Sequence, residues 1–359
     1  MSNLKKTSLH QKHLDLQAKM VDFGGWEMPI QYKNLKEEVV AVRENAGVFD
    51  VSHMGEFYIT GKDALNFINY AVTNDIKAAN NGKAVYSPLC DSNGKIIDDL
   101  IVYKISEQEI FVCVNAANIE KDFQALESIK AKFDCELKNL SSDYSLLALQ
   151  GPKSFELLKS IIDEVQDIEY YSIQLLETIK DQKSFIARTG YTGEDGFEIF
   201  GSHEFIANLW GKLIAAGVEP CGLGSRDVLR LEVCFPLYGN ELNQDITPLD
   251  AGLKWTVKMN KEDFVGKSAL ESYAAKYQLV KLSLDKGIPR AGYEVENEKG
   301  ESIGIITSGT QSVVLKKGIA LARVDKNLYQ DSEKLNINIR GKLYPAEINK
   351  KPFVTGGHK

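Results

Sequence analysis

The 359-residue sequence lacks the residue patterns that mark most metal, disulfide and membrane proteins. Its five cysteines are widely spaced and form no CxxC pair, so we expect neither a structural zinc site nor a disulfide framework. The five histidines form no HxxxH or HExxH pattern, which leaves a metal centre without support. No run of about 18 apolar residues is present, and the first residues lack the apolar core of a signal peptide. We therefore expect a cytoplasmic protein with no membrane association.

The charge distribution argues against nucleic acid as a ligand. The formal net charge is −7, and lysine and arginine form no stripe along any predicted helix or loop. A small anion bound by one or two arginines is still compatible with this distribution. The sequence also has no Walker-type loop, no GxSxG segment, and no GxGxxG segment between a strand and a helix, so phosphate-loop, serine-hydrolase and dinucleotide-binding sites are not predicted.

Hydrophobic periodicity predicts an α+β fold. Segments with helical spacing alternate with one or two strand-like segments, a pattern that a doubly wound parallel sheet does not produce. The predicted helices cover residues 34–46, 116–133, 203–217 and 222–235. We expect Asn115 to cap the second of these helices and Ser225 to cap the fourth.

The character of the sequence changes after a charged segment at residues 260–279, which is predicted to be a helical connector. Beyond it, short alternating strands are separated by glycine turns, the pattern of a small antiparallel β-barrel. We therefore expect a domain boundary near residue 275, with a first region at 1–275 and a barrel at 276–359.

A glycine-rich segment, RTGYTGEDGFEIF, runs from Arg188 to Phe200. Its glycines allow tight turns or the close approach of a ligand. Glu198 lies between Phe197 and Ile199 at the start of a strand pattern, where a carboxylate is costly to desolvate unless it meets a donor. The segment therefore indicates either a ligand-binding carboxylate or an ordinary hairpin with Glu198 facing water.

A second segment, GKIIDDLIVYKI, places two adjacent aspartates inside an apolar strand pattern. Alternation puts Asp99 on the same face as Tyr103 and puts Asp98 on the opposite face. One carboxylate could then point into a cavity and do acid–base work or orient a ring nitrogen. Alternatively, both aspartates lie just past a turn and are solvated.

Two further segments carry weaker signals. In SRDVLRLE, Arg226 and Arg230 are one helical turn apart, and Arg226 could bind a carboxylate or carbonyl near the helix N-terminus. The alternative is a pair of surface ion pairs with Asp227 and Glu232. In FDVSHMGE, His53 is expected to be solvated or satisfied in the core, while Met54 is either a soft wall for a flat heterocycle or core packing.

Taken together, these segments resemble the aminomethyltransferase family, the T proteins of the glycine cleavage system. The resemblance runs from about residue 10 to Phe353, and its specificity comes from eight segments in the family's order. They are AKMVDFGGWEMPIQY, FDVSHMGE, NGKIIDDLIVYK, LLALQGP, RTGYTGEDGFEI, SRDVLRLE with PLYGNEL, TPLDAGLKWTV and ITSGTQSVVLKKGIALARV. The resemblance implies a folate-binding region of two intertwined α+β domains, the inner one at about 52–140, and a C-terminal antiparallel barrel, arranged as a clover leaf.

The resemblance also implies roles for particular residues. The second aspartate of IIDDL, Asp99, matches the family's catalytic acid, and Tyr191, Glu198 and Arg226 match residues that bind folate. Arg290, in GIPRAG, matches an arginine tied to activity through partner docking or ordering of the channel. Further matches line the family's folate channel, namely Tyr86, Tyr103, Asn115, Met54 and Tyr238.

The implied reaction uses tetrahydrofolate as a co-substrate and needs no metal and no flavin. The partner would be the lipoylated H protein, which carries the aminomethyl group, and the other glycine cleavage components would be functional partners. Two alternatives share the fold: a folate-dependent iron–sulfur cluster assembly or repair protein, and a non-catalytic folate-binding protein. The repair family usually has a cysteine in a KGCYxGQE segment, whereas this sequence has RTGYTGEDGFE.

Overall fold

The computed structural model describes residues 4–177, 183–329 and 334–357, and a six-stranded sheet forms the first part of it. Elements are numbered in chain order. The sheet has the order β10-β11-β12-β9-β3-β13, and its strands pair antiparallel except β13 with β3. The strands are β3 (Gly47–Asp50), β9 (Ser145–Gln150), β10 (Ile173–Leu176), β11 (Ser184–Ala187), β12 (Gly196–Gly201) and β13 (Glu219–Pro220).

Helices and an N-terminal hairpin pack around this outer sheet. The hairpin strands are β1 (Lys19–Phe23) and β2 (Trp26–Gln31). The helices are α1 (His10–Asp15), α2 (Leu35–Glu44), α5 (Ser154–Ile161), α6 (His203–Ala215) and α7 (Leu223–Glu232).

A five-stranded inner sheet is inserted between β3 and β9, which are neighbours in the outer sheet. Its order is β5-β6-β7-β4-β8, and all its pairs are antiparallel. The inserted elements are β4 (Gly55–Thr60), α3 (Ala64–Ala71), β5 (Lys83–Cys90), β6 (Ile96–Ser106), β7 (Glu109–Val114), a 3₁₀ turn (Ala116–Asn118), α4 (Ile119–Lys130) and β8 (Glu136–Asn139).

The C-terminal part is a closed antiparallel barrel of order β14-β17-β16-β15-β18-β19. Its strands are β14 (Tyr277–Leu284), β15 (Glu294–Glu296), β16 (Ser302–Gln311), β17 (Gly318–Asp325), β18 (Leu335–Ile339) and β19 (Lys342–Asn349). A short helix, α8 (Lys267–Glu271), precedes the barrel. The α+β fold class with a C-terminal barrel, predicted from the sequence, is confirmed.

An aromatic layer lies between the outer and inner sheets. Phe111 of the inner sheet contacts Phe185 and Phe200 of the outer sheet, each with ring centroids 5.1 Å apart. Tyr103 packs edge-on against Phe200 at 5.6 Å, and all four side chains are buried. Such pairs add about 0.5–1.5 kcal/mol each beyond the burial of their area. This layer joins the two sheets, and the polar residues of the candidate site lie next to it.

Three local predictions are wrong in detail. The N-cap of α7 is Gly222 rather than Ser225, because the Ser225 hydroxyl lies inside the helix and donates to the Glu38 carboxylate, 2.8 Å away. Asn115 precedes the 3₁₀ turn but its side chain does not cap it, because its amide donates hydrogen bonds to Asp98 and Asp99. The connector at 260–279 is not one helix: it contains the short helix α8, which begins after Gly266, a residue with φ 87° that a helix does not tolerate, and the first residues of β14.

Candidate active site

A β-bulge precedes the two aspartates of β6. Leu89 pairs with Asp98 and Cys90 pairs with Ile96, so Ile97 is an extra residue in β6. A bulge bends a strand and changes the direction of its side chains, and bulges are frequent beside active sites. From Asp98 onward the alternation is regular: Asp98 is buried toward α4, and Asp99 is on the face that carries Tyr103.

Asp99 accepts hydrogen bonds from two other predicted site residues. The Tyr86 hydroxyl donates to Oδ2 at 3.0 Å, and the Asn115 amide donates to Oδ1 at 3.0 Å. The same amide also donates to the Asp99 carbonyl at 3.0 Å. Burial, and then the neighbouring charge of Asp98, raise the pKa of Asp99 to about 7. A carboxyl with this pKa can both accept and donate a proton near neutral pH.

Glu198 contacts Tyr103, which shares a face of β6 with Asp99. It lies in β12 and is only 4% exposed. The Thr189 hydroxyl donates to its Oε2 at 2.5 Å, and the Tyr103 hydroxyl donates to the same atom at 3.4 Å. Its Oε1 has no donor among the residues that the structure describes. Glu198 therefore presents one oxygen as an acceptor for a ligand.

Asp99 and the residue that bonds Glu198 are spaced along one strand of the inner sheet. Tyr103, which donates to Glu198, follows Asp99 by four residues on the same face of β6. At about 3.3 Å per residue, that spacing is about 13 Å along the strand. Asp99 and Glu198 can therefore contact different parts of one elongated ligand.

Arg226 contributes a cationic group near Glu198. Its guanidinium lies 4.8 Å from the centre of the Tyr191 ring, within the range of a cation–π contact. Its Nη1 is buried and has no acceptor within the described part of the chain. Burial lowers the pKa of Arg226, while the Glu198 carboxylate opposes this effect. The Tyr191 hydroxyl donates to the Pro236 carbonyl, so Tyr191 presents its ring to the site.

Two more predicted residues lie at the edges of this region. Met54 is half-buried and packs against the core between the two sheets. Tyr238 packs in the same small apolar cluster as Tyr86, and its hydroxyl accepts from the Lys121 ammonium at 2.8 Å. Trp255, 60% exposed, stacks on Tyr86 with ring centroids 6.0 Å apart.

Arg290 lies apart from the other predicted residues. It is exposed in the loop before β15, and its guanidinium donates to the Gly309 carbonyl at 3.1 Å. None of its hydrogen bonds within the described ranges reaches Asp99, Glu198 or Arg226. Contacts link Asp99 to Tyr86 and Asn115, Glu198 to Tyr103, and Arg226 to Tyr191, and within the described ranges no hydrogen bond links Arg290 to them.

Sequence reasoning missed several residues of this site. Thr189 lies in the glycine-rich segment, directly before Gly190, and its hydroxyl donates to Glu198. The alternation of apolar and polar residues does not distinguish this hydroxyl from the other polar groups of the segment. Trp255 shows no pattern that distinguishes it from core packing. For Arg230 the expected ion pairs form differently: it is fully buried and bonds Asp227 at 2.8 Å and Glu241 at 2.9 Å. Arg226 forms no such pair with any residue that the structure describes.

His53 is buried rather than solvated. It contacts Phe23 edge-on at 5.6 Å, and burial lowers its pKa to about 4, so it is neutral near pH 7. In the part of the chain that the structure describes, no group of three or more His, Cys, Asp or Glu residues could bind a metal. In the same ranges no helix has the length and apolar character needed to cross a bilayer.

A surface depression of about 660 Å³ lies elsewhere on the molecule and shares no residue with the predicted site. Lys183 lies in its wall and is already bonded to Glu109 at 2.6 Å and to the Tyr58 hydroxyl at 2.7 Å. Lys183 is therefore already paired with groups of the protein.

Comparisons with known proteins agree with the geometry. A family model described as the GCVT N-terminal domain matches residues 9–261, and one described as the glycine cleavage T-protein C-terminal barrel domain matches residues 278–355. Curated proteins named aminomethyltransferase are similar over nearly the whole chain. That of Thermosipho melanesiensis is 46% identical, covering 99% of both chains, and that of Thermotoga maritima is 46% identical, covering 98% of both.

A solved structure has the same fold. The crystal structure of glycine cleavage system aminomethyltransferase T from Bartonella henselae superimposes with a TM-score of 0.92 at 32% sequence identity, covering 99% of both chains.

Proposed function

Because the chain belongs to the glycine cleavage T-protein family and is therefore an aminomethyltransferase, we propose that it transfers a methylene group to tetrahydrofolate. The donor in this proposal is the aminomethyl group on the lipoyl arm of the H protein, and the products are ammonia, the dihydrolipoyl carrier and 5,10-methylenetetrahydrofolate. The observation that supports it most directly is a set of hydrogen bonds along β6. Tyr86 and Asn115 donate to Asp99, and Tyr103, on the same face of the strand, donates to Glu198.

The balance of atoms defines what the protein must do. Tetrahydrofolate gives up the two N–H protons of N5 and N10 when the methylene bridges them. One proton is taken up as ammonia leaves, and the other becomes the thiol proton of the lipoyl arm. The chain's residues therefore have to align two reactants and move protons between neighbouring nitrogen and sulfur atoms.

Asp99 is suited to the proton transfer. Its pKa of about 7 lets it accept a proton from a ring nitrogen and return it to a leaving group at neutral pH. In its charged form it also stabilises positive charge that develops on the methylene carbon. The Tyr86 and Asn115 hydrogen bonds fix both of its oxygens, so little reorganisation is needed during the reaction.

Glu198 and Arg226 are suited to recognising the flat end of the co-substrate. A pterin presents ring and amino N–H donors along one edge, and the free Oε1 of Glu198 can accept from them. Nη1 of Arg226, which has no acceptor among the described residues, can donate to a carbonyl oxygen, and the guanidinium is held over the Tyr191 ring. This donor and the Oε1 acceptor of Glu198 fit the mixed edge of such a ring.

The proposal is tested by ammonia release from aminomethylated H protein with and without tetrahydrofolate. We expect folate-stimulated release that falls by about 100-fold or more in Asp99→Asn, since an amide cannot accept the proton. Asp134→Asn is the matched control, because Asp134 is exposed and its contact with Lys62 is a surface ion pair.

Either of two results would contradict the proposal. Full turnover in Asp99→Asn would remove the role given to this carboxylate. Tight folate binding without any transfer by the unsubstituted chain would favour the repair or non-catalytic alternative.

A further inference from the structure

A second pair of carboxyl groups lies directly behind Asp99. Asp98 projects from the opposite face of β6 and is fully buried, and Asp122 is buried in the first turn of α4. The Asp98 carboxylate accepts from the Asn118 amide at 2.5 Å, from the Asn115 amide at 2.9 Å and from the Asn115 backbone N–H at 3.1 Å. Three donors therefore surround Asp98.

Asp122 is in the opposite situation. Neither of its oxygens has a donor among the described residues, and its carboxyl group lies against that of Asp98. Two carboxylates cannot hydrogen-bond each other unless one of them carries a proton. Since the oxygens of Asp98 already accept three hydrogen bonds, Asp122 is the group that carries the proton and donates it to Asp98.

The Asn115 side chain connects this pair to the catalytic carboxyl group. The same amide nitrogen lies 2.9 Å from Asp98 Oδ1 and 3.0 Å from Asp99 Oδ1. Because Asp98 also accepts from the Asn115 backbone, it fixes both the backbone and the amide of the residue that holds Asp99. A change at Asp98 is thus transmitted to Asp99 without direct contact between the Asp98 side chain and a ligand.

We propose that Asp98 and Asp122 form a proton-sharing carboxyl pair that positions Asn115 against Asp99 and keeps a single negative charge behind it. Asp98 is then a positioning residue for the aminomethyl transfer, and this inference rests on the function proposed above. Two charged carboxylates at this place would repel Asp99, whereas two neutral ones would release Asn115. The shared proton avoids both states.

The surrounding charges are consistent with this assignment. Burial and the nearby charge of Asp98 raise the pKa of Asp122, so it is protonated near neutral pH. The charge of Asp98 also contributes, after burial, to the raised pKa of Asp99. Among the described residues, the other titratable groups that face the three aspartates are Tyr86 from β5, Cys113 from β7, Lys121 from α4, Tyr191 from the glycine-rich turn and Tyr238 from the segment after α7.

The experiment compares pH profiles of folate-stimulated ammonia release for the full chain, Asp98→Asn and Asp122→Asn. Asp98→Asn removes the charge behind Asp99, so the acidic limb of kcat moves to lower pH by about one unit or more. It also loosens Asn115, so kcat falls by about 10- to 100-fold while the KM for tetrahydrofolate changes little. Asp122→Asn is the matched variant: its amide donates to Asp98 as the neutral acid does, so its acidic limb stays within about 0.3 unit of the unsubstituted chain.

Each other outcome overturns the proposal. An acidic limb that moves equally in both variants would mean that Asp122 is charged, and a limb that does not move in Asp98→Asn would mean that Asp98 does not act on Asp99. Absence of folate-stimulated release in the unsubstituted chain would instead refute the proposed function.

A second measurement applies if Asp98→Asn does not fold. The difference between the infrared spectra of the unsubstituted chain and Asp122→Asn at neutral pH should show one protonated carboxyl band in the unsubstituted chain. Identical spectra in the carboxylic acid region would overturn the proposal.

Discussion

At the scale of single residues, the buried carboxyl groups differ in the hydrogen-bond donors that surround them. Glu198 accepts from two hydroxyls, and Asp98 accepts from two asparagine side chains and one backbone N–H. Glu56, in β4, is fully buried, and neither of its oxygens has a donor in the described ranges. Burial therefore raises the pKa of Glu56 well above its usual value and favours the neutral form of this side chain.

Glu56 predicts a specific dependence of stability on pH. Above the ordinary pKa of 4.5 and below its own raised pKa, the folded state binds one proton that the unfolded state has released. In that window the Glu56 contribution falls by about 1.4 kcal/mol per pH unit as pH rises. We expect Glu56→Gln to remove this slope, so that the free energy of unfolding of the variant relative to the unsubstituted chain increases as pH rises above the ordinary pKa of 4.5.

Denaturant titrations at several pH values measure this difference. Glu107→Gln, at an exposed position of the turn between β6 and β7, is the control and should run parallel to the unsubstituted chain. A Glu56→Gln profile that also runs parallel would show that Glu56 is ionised in the folded state.

Glu198 predicts a loss of folate affinity rather than of stability. Removing the charged acceptor in Glu198→Ala should weaken tetrahydrofolate binding by about 1.5–3 kcal/mol, roughly 10- to 150-fold. Titration calorimetry compares it with Glu271→Ala, an exposed glutamate at the end of α8. Unchanged affinity in Glu198→Ala would remove Glu198 from the folate site.

At the scale of elements, helix α7 connects the candidate site to the barrel. Arg226 on this helix faces Glu198 and Tyr191, while Arg230, one turn later, donates to Glu241 at 2.9 Å and to Ser308 of β16 at 2.7 Å. Glu232, at its end, accepts from Ser312 at 2.7 Å. The position of Arg226 is therefore coupled to the packing of α7 on the barrel.

Breaking that connection has a predictable cost. Arg230→Met should lower the free energy of unfolding by about 3–5 kcal/mol, because Glu241 is left as a buried charge without its cationic partner. Adding Glu241→Gln should recover part of the loss, since the unpaired charge is removed. Asp227→Asn, which alters the half-exposed partner of Arg230, should cost about 1 kcal/mol or less. A loss in Arg230→Met as small as in Asp227→Asn would contradict this account of the helix.

The elements also show which features local sequence could predict. The opposite faces of Asp98 and Asp99 followed from the two-residue period of a strand. The N-cap of α7 could not be predicted in this way, because the Ser225 hydroxyl donates to Glu38, which is 187 positions away in sequence. Asp122 has the same limit: an acid in the first turn of a helix suggests only a favourable dipole contact, and its burial against β6 depends on tertiary packing.

At the scale of the whole molecule, the residues proposed for catalysis and for recognition come from two sheets, one inserted in the sequence of the other. Asp99, Tyr86 and Asn115 lie in the inserted part, whereas Glu198 and Arg226 lie in the part that the outer sheet organises. We propose that the chain divides into a folate-binding region and a barrel near residue 275, with α7 as a contact between them.

The insertion predicts an order of folding. The Ser52 hydroxyl donates to the Leu146 carbonyl, 94 positions away, so β3 and β9 can pair only after a long loop closes. We expect pulse-labelled hydrogen exchange during refolding to protect the amides shared by β6 and β7 before those shared by β3 and β9. The β16–β17 hairpin, which is closed by a short turn, is the internal reference. Simultaneous protection of both pairs would contradict this order.

The inserted segment could be exchanged between genes during evolution as a single piece. The chain leaves the outer sheet and returns to it at a single point, where the Val51 N–H donates to the Leu146 carbonyl at 3.0 Å. Segments whose two ends lie together can be exchanged between genes without rearranging their surroundings. Here such an exchange would replace Asp99 and its supporting residues while Glu198, Tyr191 and Arg226 stay in place. On the proposed function, the residues for the reaction and most of those for recognition of the pterin then lie in separable segments, with Tyr103 as the inserted residue that bonds Glu198.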